Sequence, residues 1–358
     1  MAIAVAIGLC LAVALLAAAE WGVRALTDIP FGGISKNLFT PNRFGPSAGN
    51  TPGVQAHAFG IPVFIDANGF RVPSLDYRYP AGSTGTLLLI GDSLTFGVGV
   101  PEPETFAGRL RTSNPGWKVY NSAVIGQTTG DYLNTVKALL DRGYVFSKAV
   151  LVYCLNDVSS SSAADIDRGV QAAGAGDRAG PSPSPAPERA GNADFVERLK
   201  RLEIFSAAND FLRENSKLYL LVKGVISDPS RRYFAADLQS YLDRKALWNA
   251  LAPVEAIAAE FASRKIGFLV IIAPYEFQLR PGGSETMGGR DIRLPQQLVS
   301  EFLSERKIPH IDAATVFRTG AGESGAAYFL ALDPMHFSPT GHAAIFALIQ
   351  DRILAGSN

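Results

Sequence analysis

A serine and a histidine far apart in the chain carry its most suggestive chemistry. Gly91-Asp92-Ser93-Leu94 follows an apolar run, and Asp333-Pro334-Met335-His336 lies near the C-terminus. A serine hydroxyl attacks a carbonyl efficiently at neutral pH only when a base takes its proton. His336 is the candidate base, and the three-residue spacing lets Asp333 fold back onto the imidazole, fixing its tautomer and stabilising the imidazolium. Taken singly, Gly-Asp-Ser-Leu is an ordinary turn and Asp-x-x-His a helix cap or surface turn. What joins them is the order Ser, Asp, His, with the last two close together. The chemistry would be acyl transfer through an acyl-serine, which also needs donors aimed at the developing oxyanion. The candidates are the backbone N–H of Gly126 in Ala123-Val-Ile-Gly126-Gln127 and the amide of Asn156 in Cys154-Leu-Asn156-Asp157.

Such groups have to be delivered by strands. Thr86-Leu-Leu-Leu-Ile90 is a continuous apolar run, which predicts a strand buried on both faces, ending just before Ser93. Trp117–Asn121 and Lys148–Tyr153 predict the next two strands, which release Gly126 and Asn156 at the same sheet edge. Gly267–Ile272 and Ile308–Asp312 complete a set of five. Amphipathic helices are predicted near Glu104–Thr112, over Asp131–Arg142 with Gly143 as the stop, over Leu294–Arg306 and over Pro339–Leu354. Alternating strands and helices mark a parallel sheet between helical layers, so the expected fold is α/β, a three-layer α/β/α sandwich with a mostly five-stranded parallel sheet.

These residues resemble the SGNH hydrolases, the GDSL esterases and lipases, whose Ser, Gly, Asn and His stand in four sequence blocks. Gly91-Asp92-Ser93 is similar to the first block, Gly126 and Asn156 match the second and third, and Asp333-x-x-His336 the last. The resemblance covers roughly 86–354 without the insertion described below. It implies a flavodoxin-like fold, Ser93, Asp333 and His336 as catalytic triad, and an oxyanion hole of the Ser93 N–H, Gly126 and Asn156, with Asp92 bracing the loop. Two positions depart from the pattern: Cys154 stands where the third block usually begins with Gly, and Ala123 where the second often has Gly. Asn68-Gly-Phe-Arg71 upstream is similar to exported bacterial proteins linked to surface polysaccharides. His336-Phe-Ser-Pro-Thr-Gly-His342 looks like an alginate-acetyltransferase branch. The resemblance therefore implies a serine esterase cleaving O-acyl, chiefly O-acetyl, esters on a carbohydrate. Its alternatives are an O-acyltransferase and a non-catalytic polysaccharide-binding or assembly protein; the last would be expected to have lost a triad residue.

Composition narrows the partners. Lys plus Arg and Asp plus Glu are 33 each, so no global field attracts nucleic acid. Cys10 and Cys154 lie in an apolar N-terminal run and a core strand, which argues against a disulfide. No histidine pair has zinc-site spacing, so neither metal nor cofactor is expected. His57 and His310 read as structural, and His342 as a packing or capping residue. Residues 1–19 carry no charged side chain, and nineteen helical residues span roughly 28 Å against a hydrocarbon core of about 30 Å. Residues 1–26 thus predict a transmembrane anchor or a signal segment, with Ala17-Ala18-Ala19 as a possible cleavage site. Either reading puts the domain outside the cytoplasm, in the periplasm or at the cell surface: a single-pass anchored protein in one case, a secreted one in the other. Residues 27–85 read as a tether with short strands, including Ile61–Ile65, and 86–358 as the hydrolase domain. Within it, 158–264 is an insertion that serves as a packing layer or a lid. Its run 159–191, rich in Ser, Ala, Gly and Pro, predicts disorder. Two helical faces follow, one of Phe195, Leu199, Leu202 and Phe205 and one of Leu238, Tyr241, Leu242 and Leu247.

Overall fold

The computed structural model describes residues 1–158, 203–280, 286–319 and 325–354. The predicted disordered run 159–191 and the positions Phe195, Leu199 and Leu202 lie outside the described residues. The chain opens with helix α1 (Ala2–Leu26). Within it, Ile3–Leu26 is long and apolar enough to cross a membrane by length and composition, with mean hydropathy 2.4 in its most apolar stretch. Strands β1 (Phe39–Phe44) and β2 (Ser47–Asn50) pair as an antiparallel ribbon, followed by β3 (Gln55–Ala58), β4 (Ile61–Ile65) and β5 (Arg71–Val72). Next come β6 (Gly85–Ile90), the short helix α2 (Ser93–Phe96), α3 (Phe106–Ser113), β7 (Trp117–Asn121), α4 (Thr129–Asp141) and β8 (Lys148–Tyr153). Beyond residue 202 the chain forms α5 (Glu203–Asn215), α6 (Lys217–Ser227), α7 (Pro229–Leu238) and α8 (Arg244–Ser263). It then returns through β9 (Gly267–Ile272), the ribbon β10 (Thr286–Met287) and β11 (Arg290–Asp291), α9 (Leu294–Glu305), β12 (His310–Asp312), α10 (Ala313–Thr319) and α11 (Pro339–Ile349).

The main sheet has the order β12-β9-β8-β6-β7-β5-β4-β3. The five strands from β12 to β7 are parallel, as the apolar runs predicted, and β5, β4 and β3 continue the sheet antiparallel beyond β7. Segment 27–85 therefore supplies three strands to the same sheet. Ala56, Ala58, Val63 and Ile65 alternate inward and meet Phe96 and Val98 in a second core cluster. The chain moves one way from β6 to β7 and the other way from β7 through β8 and β9 to β12. Right-handed crossovers then place α3 on one face and α4, α8 and α9 on the other. Accordingly α3 packs with α11, while α8 packs with both α4 and α9. The reversal falls between β6 and β8, and the crevice beyond their C-terminal ends is where open α/β sheets place ligands.

The predicted helical face through Leu238 and Leu247 is broken. Leu238 ends α7, Tyr241 sits in a 3-10 turn, and Asp243 starts α8 by accepting from Lys245 N and Ala246 N. An aspartate that satisfies two free N–H groups is a strong helix start, and it overrides the apolar spacing. Leu238, Tyr241 and Leu247 are nevertheless all buried in the main core, whereas Leu242 is exposed.

Candidate active site

Ser93 is the first residue of α2, three residues beyond the end of β6. The turn demands glycine at position 91. Gly91 has φ +154, and a Cβ there would overlap the Thr95 side chain. Asp92 caps the helix, its Oδ1 accepting from Leu94 N at 2.9 Å. The Ser93 hydroxyl has one proton and two acceptors within reach, Asp92 Oδ2 at 3.2 Å and His336 Nε2 at 2.8 Å. Burial pushes the Asp92 carboxyl above its ordinary range, partly opposed by the Leu94 N–H and by the charge of His336.

The loop before α11 brings up the candidate base. His336 Nδ1 lies 2.6 Å from Asp333 Oδ2, while Asp333 Oδ1 accepts from the backbone N–H groups of Met335 and His336, both at 3.1 Å. Glu276 N donates to Pro334 O, tying this loop to the turn that follows β9. Burial alone would depress the His336 pKa. The Asp333 carboxylate, by charge and hydrogen bond, outweighs it with help from Asp92 and holds the imidazole above its ordinary value. Burial conversely works to raise Asp333, but the His336 charge and its hydrogen bonds keep it below the usual carboxylate range. Phe59 meets the His336 ring edge-on at 5.3 Å. Ser93, His336 and Asp333 thus stand in one hydrogen-bonded row.

The two candidate oxyanion groups sit on the neighbouring loops. The loop after β7 is bonded alongside the Ser93 turn, with Ser122 N donating to Leu89 O and Val124 N to Gly91 O. Two residues on, Gly126 is exposed in the left-handed region at φ +81, with open space where a Cβ would stand. Asn156 is half-buried in the 3-10 turn that leaves β8. That turn is fixed from beneath. Asp157 Oδ2 accepts from Cys154 N and its Oδ1 from the Tyr132 hydroxyl at 2.7 Å, while the Tyr241 hydroxyl donates to Leu155 O. Burial and the nearby Asp92 push Asp157 well up. Cys154 itself is packed in the core, and both cysteines are free.

Several positioning residues were not legible from the motifs. Arg71 is fully buried and donates to the carbonyls of Phe96, Gly97 (2.6 Å) and Val100 (2.7 Å), the segment immediately after Ser93. Burial, then the charge of Arg111, lowers its pKa to about 9. Arg111 in turn donates to Arg71 O at 2.9 Å and pairs with the buried Glu102. Asn121 Nδ2 donates to Thr95 O, and its Oδ1 accepts from Ala123 N, linking the second block to α2. The signals were present, since Arg71 ends the stretch Asn68-Gly-Phe-Arg71 and Asn121 opens the second block; their burial was not. His342 accepts from Phe106 N at 3.3 Å, and burial followed by Arg71 and Arg109 lowers its pKa to about 3, so it is a neutral cap. His57 and His310 lie on β3 and β12, at opposite edges of the sheet.

A cleft of about 260 Å³ includes His336 and Asp333 in its lining. Its walls come from residues 29–32, from α6 through Leu220, Lys223, Gly224 and Ser227, and from Leu332 and Met335. Arg213, Lys223 and Arg232 give it positive charge. The residues that build it therefore come from within the predicted insertion, from the loop before α11 and from just beyond α1.

No family model matches the chain, and no curated protein matches it. Among solved structures it is similar to TesA, at 12% identity and a TM-score of 0.40, over 75% of this chain and 98% of that one. It is similar to a catalytic variant of Axe2, an acetylxylan esterase from Geobacillus stearothermophilus, at 16% identity and a TM-score of 0.39, over 76% and 94%. It is also similar to a lipolytic protein of the G-D-S-L family from Veillonella parvula, at 12% identity and a TM-score of 0.36, over 75% and 97% of the two chains.

Proposed function

We propose that this chain is a serine carboxylic-ester hydrolase of the SGNH type, cleaving O-acyl and chiefly O-acetyl groups from a carbohydrate. The observation that carries the reading is the row from Ser93 Oγ through His336 to Asp333, with contacts of 2.8 and 2.6 Å. His336 Nε2 takes the Ser93 proton as Oγ attacks the ester carbonyl, while Asp333 stabilises the imidazolium. The tetrahedral oxyanion is held by the N–H groups of Ser93 and Gly126 and by the Asn156 amide. Collapse expels the alcohol, which takes the proton back from His336. Water then attacks the acyl-Ser93 with the same histidine as base, releasing the acid and restoring the hydroxyl. The reading takes α1 as a retained single-pass anchor with the catalytic domain outside the cytoplasm; its apolar length supports the membrane span.

A second reading differs only in the acceptor. The cleft beside His336 includes Ile29, Phe31, Leu220 and Leu332 in its wall, a surface on which an acceptor sugar could pack so that its hydroxyl takes the acyl group in place of water. Both are tested by incubating the full-length protein with p-nitrophenyl acetate and an unacetylated oligosaccharide, and separately with an acetylated one. Free acetate from the acetylated sugar supports the esterase, acetylated product from the mixture supports the transferase, and neither product from folded protein rejects both.

A further inference from the structure

The apolar run of α1 ends where the wall of the cleft begins. Ala19 is followed by Glu20, and the Glu20 carboxylate serves as a cap for α6: it accepts from Ser216 Oγ (2.7 Å), Lys217 N (2.9 Å) and Leu218 N (3.0 Å). Arg24 completes the joint, pairing with Glu20 at 2.6 Å and donating to Asn215 O at 2.7 Å, the last residue of α5. Glu20 thus meets two of the N–H groups that the helix leaves unsatisfied at its start, and Ser216 Oγ meets a third, that of Tyr219. Residues 3–19 of α1 remain exposed, so the α5–α6 hairpin touches the helix only where its apolar stretch stops.

The same hairpin carries apolar side chains that no described residue covers. Val222 (49% exposed), Val225 (72%) and Ile226 (79%) fall on one side of α6 at helical spacing, and Phe211 (65%) stands one turn before the end of α5. The opposite side of α6 presents Leu220, Gly224 and Ser227 to the cleft. At about 100° per residue, Lys223 falls between the outer apolar side and the cleft, where its Nζ donates to Asn209 Oδ1 at 3.1 Å, and Lys217 falls toward the cleft side with its Nζ over the Phe31 ring at 5.3 Å.

We propose that the α5–α6 hairpin rests on the surface of the membrane that α1 enters, with Phe211, Val222, Val225 and Ile226 against lipid, so that the catalytic cleft lies at the membrane surface. What selects a bilayer rather than another partner is that the hairpin carrying these exposed side chains is fastened at the residue where the apolar stretch of α1 ends. The inference rests on α1 being a retained anchor.

The full chain is reconstituted in vesicles of phosphatidylcholine and phosphatidylglycerol containing nitroxide lipids, and a cysteine-reactive fluorophore reports depth. Native Cys10, exposed in α1, tests the anchor. In a Cys10→Ser background, Phe211→Cys and Val225→Cys test the hairpin, and Val145→Cys, exposed near the N-terminal edge of the parallel sheet, is the reference. The expected result is strong quenching at Cys10, with quenching at 211 and 225 at least about threefold above that at 145. Quenching at Cys10 with 211 or 225 no deeper than 145 overturns the hairpin placement; it is also what a covering protein or second copy of the chain would give. No quenching at Cys10 refutes the anchor reading, and the inference with it.

Discussion

Replacing Arg71 with leucine probes how the Ser93 turn is held. The guanidinium donates to three carbonyls within the five residues Phe96–Val100, and it lies over the Phe96 ring at 4.9 Å. A buried carbonyl stripped of its donor costs about 1–3 kcal/mol, which puts the gross loss for three at about 3–9 kcal/mol. Part is offset because the cation's own desolvation disappears, a burden visible in the fall of its pKa to about 9. The net loss is therefore about 3–5 kcal/mol, in the range seen when a buried charged partnership is broken. For a domain of this size that corresponds to a fall in Tm of roughly 6–20 °C, read by circular dichroism on the full chain in detergent. Ester turnover should fall as well, because the carbonyls released belong to the turn that begins at Ser93. Arg71→Lys keeps the charge but loses the planar fork, and should recover less than about half of the stability. A Tm within about 2 °C of wild type for Arg71→Leu would refute the assignment of Arg71 as the brace of this turn.

Three further substitutions separate the roles within the site. Because Asp333 holds the His336 pKa above 6.5 and only the neutral imidazole accepts the Ser93 proton, kcat/KM should fall as pH drops through a value above 6.5. Asp333→Asn leaves only the Asp92 charge to oppose burial, moves that limb to lower pH and lowers kcat by about 10³–10⁴-fold, measured as a pH–rate profile. Asn156→Ala should lower kcat by about 10²–10³-fold with little change in KM; unchanged turnover would remove Asn156 from the oxyanion hole. His342→Leu deprives Phe106 N of its acceptor and should cost about 0.5–2 kcal/mol in thermal unfolding. It should leave the acid limb in place, since His342 is already neutral throughout that range.

The parallel half of the fold is legible because its strands are unbroken apolar runs. Leu87–Ile90, Val150–Val152 and Leu269–Ile272 are buried almost completely, and only a strand covered on both faces can be so uniformly apolar. Pairing of β3, β4 and β5 onto that sheet is not legible: Gln55–Ala58 and Arg71–Val72 are too short to show a period, and their partners are fixed only by long-range contact. Among the site residues, Ser93, Asp333 and His336 announce themselves by type and order. Arg71 does not, since a lone arginine in a loop reads as solvated until the carbonyls it meets are known. The cleft is illegible for a similar reason: residues 29–32, Arg213, Lys223 and Arg232 are scattered along the chain and meet only when α6 is fastened to Glu20.

The central claim is nucleophilic catalysis by Ser93, and the most direct measurement is turnover of p-nitrophenyl acetate by wild-type protein and by Ser93→Ala at matched folded concentration. Wild-type turnover should fall by at least about 10³-fold in the variant, with an acetyl group trapped on the Ser93 peptide of the wild type alone. Equal turnover in the two proteins would contradict serine catalysis at this site.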